Sequence, residues 1–148
     1  MQLWQPACGR KGEIEMHTAQ DVMSSPLIMT DAQATVAEAV GVMRRHHVSS
    51  LLVRPTGSAK HYGIITKRDV VTKLVAHNTD LHSVAVADVM TAPIATVAPD
   101  CTLVECSRIM SEKNIRRLPV FVGSTPVGIV SDTDIFAAVE ESGWGNPA

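Results

Sequence analysis

Apolar residues recur at helical spacing in several stretches of the chain, with short apolar runs between them. Val36, Ala39, Val40 and Met43 occupy positions i, i+3, i+4 and i+7, which share one face of a helix, and similar helical spacing recurs within 67–77. Continuous apolar runs of three to five residues flanked by turn residues are typical of buried strands. The predicted elements, in chain order, are a strand at 27–29, a helix at 35–47, strands at 50–53 and 62–65, a helix at 67–77, a strand at 94–97, a helix at 102–113, strands at 118–122 and 127–130, and a helix at 132–141. Strands that alternate with helices predict an α/β fold.

The order strand, helix, strand, strand, helix occurs twice because the sequence repeats itself. DVMSSP at 21–26 returns as DVMTAP at 88–93, which is 67 positions later. GIITKRDV at 63–70 returns as GIVSDTDI at 128–135, which is 65 positions later, since the second copy has lost two residues in a loop. A repeat of this length buries its apolar face against a partner, so we expect two β-α-β-β-α repeats that pack together.

The repeat sets the predicted domain organisation. We place the first repeat at 16–82 and the second at 83–141, between a flexible N-terminal extension at 1–15 and a flexible tail at 142–148. Met1 and Met16 are alternative start residues, and the sequence leaves this open.

Composition narrows the class of protein. A formal net charge of -2 disfavours nucleic acid and anionic membranes as partners. There is no apolar run near 18 residues and no secretory signal pattern in the chain. The 3 cysteines are an odd number without C-x-x-C spacing, which predicts reduced thiols and a cytoplasmic protein.

Two of the predicted helices begin with an unusual pair of residues. Thr66 and Ser131 are each followed, three positions later, by Asp69 and Asp134. A capping box has Glu or Gln at this position, and Asp is one methylene shorter and reaches back less well. We therefore expect the two aspartates to do more than cap a helix.

These motifs together resemble those of paired cystathionine-β-synthase (CBS) domains, often called a Bateman module. The resemblance covers about residues 18–141 and rests on the two DVM openings, on NIRRLPV at 114–120, and on the G-h-h-[ST]-x-x-D segments at 63–69 and 128–134. It implies two repeats packed with pseudo-twofold symmetry and clefts between them that bind AMP, ADP, ATP or S-adenosylmethionine. It also implies a homodimer.

The chemistry of an adenosine ligand fits the two helix starts. One carboxylate, from Asp69 or Asp134, can accept hydrogen bonds from both ribose hydroxyls, each contributing roughly 1.5–3 kcal/mol. The hydroxyls of Thr66 and Ser131 lie beside free backbone N–H groups, where a phosphate is favoured. By the resemblance, the predicted ligand-binding set also includes Lys67, Arg68, Thr133, Arg116 and Arg117, with Ile28, Ile94, Thr96, Leu118 and Pro119 at the adenine.

The two predicted sites differ in charge. Lys67 and Arg68 favour a polyphosphate in the first copy, whereas Asp132 repels phosphate in the second. Arg116 and Arg117 can compensate, because guanidinium groups suit phosphate oxygens.

No set of nucleophile, base and orienting group occurs, and no metal-binding or cofactor motif, so we predict no enzyme activity, no metal and no cofactor. The first hypothesis is a stand-alone regulatory sensor that binds an adenosine-containing ligand and signals to an effector protein. The alternative is a ligand-independent dimerisation or interaction module. A third hypothesis, a nucleic-acid binder using the four basic residues of the predicted site, is disfavoured by the net charge.

Overall fold

The computed structural model describes residues 17–25 and 27–142, and the predicted extension at 1–15 and the tail beyond residue 142 lie outside this range. The described residues form two compact units. The first is Ile28–Ile94, and the second combines residues 17–25 and Leu27 with residues 95–142. The opening segment of the first sequence repeat thus belongs to the unit that contains most of the second repeat.

The elements follow the predicted order with two exceptions: a short helix at Ala19–Val22 was not predicted, and no strand forms at 94–97. They are α1 (Ala19–Val22), β1 (Met29–Asp31), α2 (Val36–His46), β2 (Ser50–Arg54), β3 (Gly63–Thr66), α3 (Lys67–Lys73), α4 (Leu103–Lys113), β4 (Arg117–Val122), β5 (Thr125–Ser131) and α5 (Asp132–Ser142). Short 3-10 helices lie at Val75–His77, Leu81–Ser83 and Val86–Asp88. The α/β class is confirmed. The helix predicted at 67–77 is shorter than expected, since α3 ends at Lys73.

The first unit is built on a three-stranded sheet in the order β1-β2-β3. β1 pairs with β2 in parallel and β2 pairs with β3 antiparallel, with Ser50 opposite Thr66. α2 buries Val36, Ala39 and Met43, the residues at helical spacing, in the core of this unit. The register places the end of β3, and therefore the start of α3, beside the start of β2.

The second unit is built on the hairpin of β4 and β5, with Arg117 opposite Ser131. Its core contains the fully buried Leu118 and Val120 of β4. The opening segment at 17–25 pairs here, because the N–H of Ser24 donates to the carbonyl of Ile129 at 2.9 Å. The matching bond in the first unit runs from the N–H of Thr91 to the carbonyl of Ile64, also at 2.9 Å.

The strand predicted at 94–97 is wrong. Only Val97 pairs with β4, through a single parallel bridge to Val120. In the first unit the matching strand β1 is followed by a bond from the N–H of Ala32 to the carbonyl of Arg54. Pro99 stands at the position that matches Ala32, and Pro119 at the position that matches Leu52 of β2. Neither proline has an N–H to donate, so the ladder does not extend on either side of Val97.

The prediction of reduced thiols is wrong at Cys101. Cys101 is disulfide-bonded. Cys106 in α4 is a buried free thiol, and its burial, with the nearby Glu105 charge, raises the pKa of the thiol to about 12.

Candidate functional site

Asp69 is held at the junction of β3 and α3 by reciprocal hydrogen bonds with Thr66. Its Oδ2 accepts from the Thr66 N–H at 2.9 Å and from the Thr66 hydroxyl at 3.1 Å. The Asp69 N–H donates to Thr66 Oγ1 at 3.1 Å. This arrangement is a complete capping box, which fixes the orientation of the carboxylate at the start of the helix.

Asp134 has the same arrangement at the start of α5. Its Oδ2 accepts from the Ser131 N–H at 2.9 Å, and its own N–H donates to Ser131 Oγ at 3.1 Å. Asp21 closes a third such box with Thr18 at the start of α1. Asp thus forms the reciprocal bonds of a capping box in both copies, so its shorter side chain does not by itself indicate a further role. Capping occupies one oxygen of each carboxylate, so any ligand contact depends on the other oxygen, Oδ1.

The second oxygen of Asp69 is engaged by Lys73, a residue that the sequence analysis did not single out. Lys73 Nζ lies 3.1 Å from Asp69 Oδ1 and donates to the carbonyl of Val89 at 2.8 Å. The Asp69 side chain is 16% exposed and that of Lys73 is 46% exposed. The i,i+4 spacing of Asp and Lys is the only signal in the sequence that points to this pair.

The second copy lacks this lysine. Ala138 stands at the position that matches Lys73, and it is buried in α5. Within residues 17–25 and 27–142, the structure records no ion pair for Asp134. The two carboxylates therefore share a capping geometry and differ in whether a cation neutralises them.

The predicted basic residues lie at the two helix starts. Lys67 and Arg68 are exposed in the first turn of α3. Arg117 pairs with Ser131 across the hairpin, and the carbonyl of Arg116 accepts from the Asp132 N–H at 2.9 Å. Both arginines thus belong to the unit that holds Asp134.

The exposed side chain of Asp132 folds back onto its own helix. Its Oδ1 accepts from the Thr133 N–H at 2.8 Å, one of the N–H groups that a phosphate would use. The carboxylate thus both occupies a donor and adds negative charge at this helix start.

The residues predicted to contact adenine are mostly interior. Thr96 and Leu118 have no exposed surface, Ile94 is 8% exposed, and Pro119 is buried within β4. Ile28 is partly buried against the core of the first unit. An adenine ring at these positions has mainly backbone groups to contact.

Metal-binding clusters and membrane-spanning helices are both absent from the described part of the chain. No group of three or more His, Cys, Asp or Glu side chains in it is placed to hold a metal ion. None of its helices is long and apolar enough to cross a bilayer.

Comparison with known proteins connects this geometry to a family. The sequence model of the CBS domain matches residues 19–76 and 86–141. The CBS domain-containing protein CBSX3, mitochondrial, of Arabidopsis thaliana is 32% identical over 91% of this chain and 70% of that protein. The CBS domain-containing protein YhcV of Bacillus subtilis is 29% identical over 81% of this chain and 84% of that protein.

Solved structures agree with the sequence relatives. A hexameric CBS-CP12 protein from bloom-forming cyanobacteria superposes with a TM-score of 0.81 at 30% identity, covering 90% of this chain and 77% of that one. The CBS domain pair of protein MJ0100, in complex with 5′-methylthioadenosine and S-adenosyl-L-methionine, superposes with a TM-score of 0.74 at 25% identity, covering 86% of this chain and 98% of that one.

Proposed function

The chain belongs to the CBS domain family, and on that premise we propose that it is a regulatory module that binds an adenosine-containing ligand at the starts of α3 and α5. CBS pair proteins are regulatory ligand-binding modules. AMP, ADP, ATP and S-adenosylmethionine all carry the adenosine group that these helix starts would recognise.

The observation that carries the proposal is the duplicated Asp at a helix start. In both copies the capping bonds fix the Oδ2 atom of the carboxylate, at Asp69 and at Asp134. The Oδ1 atom takes no part in the cap and can accept from the vicinal ribose hydroxyls. One structural neighbour binds adenosine-containing ligands, namely S-adenosyl-L-methionine and 5′-methylthioadenosine.

Regulation requires that ligand binding change something that a partner can detect. A ligand shifts a conformational equilibrium only by the difference in its affinity for the two states. We propose that the chain acts as a homodimer and passes this shift to an effector protein. A hexameric neighbour within the family supports self-association in general.

Thermal unfolding against a ligand panel tests the proposal. The panel is adenosine, AMP, ADP, ATP and S-adenosylmethionine, with GMP as the control. Ligand at one hundred times its dissociation constant stabilises the folded state by about 2.7 kcal/mol, which raises the Tm by several degrees. The proposal is supported if an adenosine compound raises the Tm and GMP does not. The increase in Tm should also be lost in the double variant that combines Asp69→Asn and Asp134→Asn. Absence of any shift, in protein freed of carried-over nucleotide, contradicts it.

An interaction module that needs no ligand is the second candidate, and exposed apolar side chains favour it. Val71 in α3 and Phe136 in α5 stand at matching positions in the two copies and are 56% and 61% exposed. Val75, one turn after Val71, is 56% exposed. Exposed apolar groups at matching positions are typical of surfaces that another chain covers.

Sedimentation equilibrium separates the two candidates. If these helices carry the function through dimerisation, Val71→Glu and Phe136→Glu shift the protein toward monomer whether or not a nucleotide is present. Val122→Glu is the matched control, because Val122 is equally exposed at 56% but lies at the end of β4. Unchanged sedimentation in both helix variants contradicts the second candidate.

A further inference from the structure

We propose that Lys73 makes the two adenosine sites unequal, so that the ligand binds with higher affinity at Asp134 than at Asp69. This inference rests on the proposed function and specifies which of its two sites is used. It concerns one lysine that is present in the first copy and replaced by Ala138 in the second.

Asp69 has no oxygen free of a partner. Oδ2 takes part in the capping box with Thr66, and Oδ1 faces the Lys73 ammonium at 3.1 Å. A ribose hydroxyl that donates to Oδ1 competes with a cation for the same atom. A hydrogen bond to an ionised carboxylate is stronger than one to a neutral acceptor because of the negative charge. An adjacent ammonium group offsets that charge and therefore weakens the hydrogen bond from a ribose hydroxyl.

Lys73 is held in place from a second direction. Its Nζ also donates to the carbonyl of Val89 at 2.8 Å, across 16 positions of sequence. A lysine with two partners loses both when it moves away, so the ion pair is harder to displace than one between two free surface side chains. The ligand at Asp69 therefore has to compete with a positioned ammonium group.

Asp134 has the opposite environment. Its Oδ2 is fixed by the Ser131 N–H at 2.9 Å, and no cation among the described residues is recorded within ion-pair distance of the carboxylate. Ala138, one turn further along α5, has no charged group to place there. The carboxylate is thus oriented, partly exposed and not neutralised, which suits the two hydroxyls of a ribose.

Isothermal titration with adenosine, AMP and S-adenosylmethionine, each used separately, tests the inequality through two amide variants. Asn keeps an oxygen that can accept the capping bond, so both variants remove charge and spare the helix start. We expect Asp134→Asn to weaken the tightest binding at least tenfold and Asp69→Asn to weaken it less than threefold. An equal loss in both variants, or a larger loss in Asp69→Asn, overturns the inference and leaves the proposed function standing.

The role of the lysine itself is tested by exchanging the residues at this position. Lys73→Ala, which installs the residue of the second copy, is expected to strengthen binding at the first site roughly threefold, the scale of a partly exposed ion pair. The measurement is made in the Asp134→Asn background, where the first site alone contributes. Lys60→Ala removes one lysine from an exposed loop and is the matched charge control. Weaker or unchanged binding in Lys73→Ala overturns the inference.

The remaining outcome separates this inference from the proposed function. If none of the three probes binds the wild-type protein or any variant, the proposed function fails and the inference fails with it. If the probes bind and only Asp69→Asn weakens their binding, the inference fails and the proposed function stands. Circular dichroism of each variant confirms that the helices are retained.

Discussion

The side chain of Met90 lies against Gly63, with its sulfur 2.6 Å from the point that a Cβ atom on residue 63 would occupy. The carbonyl oxygen of Thr91 is 2.9 Å from the same point. Met23 lies against Gly128 in the second unit in the same way, at 2.5 Å. The methionine of each DVM motif thus fills the space left by the glycine of a G-h-h-[ST]-x-x-D motif. This contact explains why both motifs recur, since each needs the other to pack.

Gly63→Ala and Gly128→Ala are each expected to destabilise the protein. A methyl group at either position overlaps a methionine sulfur and lies close to a backbone carbonyl, and overpacking of this kind costs about 1–3 kcal/mol. Urea unfolding monitored by circular dichroism measures the change in the free energy of unfolding.

Gly41→Ala is the control for these two substitutions. Gly41 lies within α2, and a Cβ there would meet only the Arg45 side chain, at 3.8 Å. Alanine in a helix interior is about 0.5–1 kcal/mol more favourable than glycine, so this variant is expected to be more stable than wild type. If all three variants lose the same stability, close packing by the methionines is not the cause.

Much of the fold could be predicted because the two copies support each other. A single apolar run such as 118–122 does not by itself distinguish a strand from a helix. The prediction of a strand becomes reliable because the corresponding run at 50–53 lies between the same predicted elements. The strand at 94–97 was predicted by this same reasoning and is wrong. Pro99 and Pro119 lack the backbone N–H donors that their counterparts in the first copy possess. The spacing of apolar residues contains no information about whether a backbone N–H is present.

Asp134→Ala is expected to lower the free energy of unfolding by about 1–2 kcal/mol, because it removes the acceptor of the Ser131 N–H bond. Asp134→Asn keeps an acceptor and loses only the charge at the helix N-terminus, for which we expect about 0.5 kcal/mol. Chemical unfolding of both variants in the absence of nucleotide measures the difference. Thr133→Ala, at the adjacent exposed position, is the control and is expected to stay near wild type. Equal losses in the Ala and Asn variants would show that charge, and not the capping bond, stabilises this end of α5.

The candidate site was only partly predictable from sequence. The spacing of Thr66 to Asp69 and of Ser131 to Asp134 identified both helix starts, and at each of them Asp forms the capping bonds although it is one methylene shorter than Glu. Lys73 could not be identified as part of the site from the sequence, because an Asp–Lys pair at i,i+4 occurs on many solvent-exposed helices. Its contact with the carbonyl of Val89 depends on how the chain packs 16 residues later, and no local pattern carries that information.

Asp132→Asn is expected to change which ligands bind at α5. The Asp132 carboxylate occupies the Thr133 N–H and repels phosphate, so its neutralisation raises the affinity for ATP relative to adenosine by roughly twofold to fivefold, the scale of one exposed charge. Titration of both ligands into the variant gives the ratio. Asp100→Asn removes an exposed carboxylate elsewhere in the same unit and is expected to leave the ratio unchanged. The same ratio in Asp132→Asn as in wild type would show that the phosphates lie away from this helix start.

Stability at alkaline pH is expected to depend on Cys106. The pKa of this thiol is raised from 9.0 to about 12 in the folded protein. Burial is the main cause of the increase, and the negative charge of Glu105 is the second. A raised pKa means that the folded state holds the proton more tightly, so the stabilisation is fully present below pH 9 and is lost as the pH rises from 9 to 12. At pH 10 the loss for this group is on the order of 1 kcal/mol, since one pKa unit corresponds to about that much free energy.

Urea unfolding of wild type and Cys106→Ala at pH 8 and pH 10 isolates this loss. The alanine variant starts from a lower stability, because it leaves a small gap among buried side chains, but it has no thiol to titrate. The fall in the free energy of unfolding between the two pH values is therefore expected to be smaller in Cys106→Ala, by on the order of 1 kcal/mol. An equal fall in the two proteins would mean that the Cys106 thiolate forms as readily in the folded chain as in the unfolded one, and that α4 does not exclude water from it.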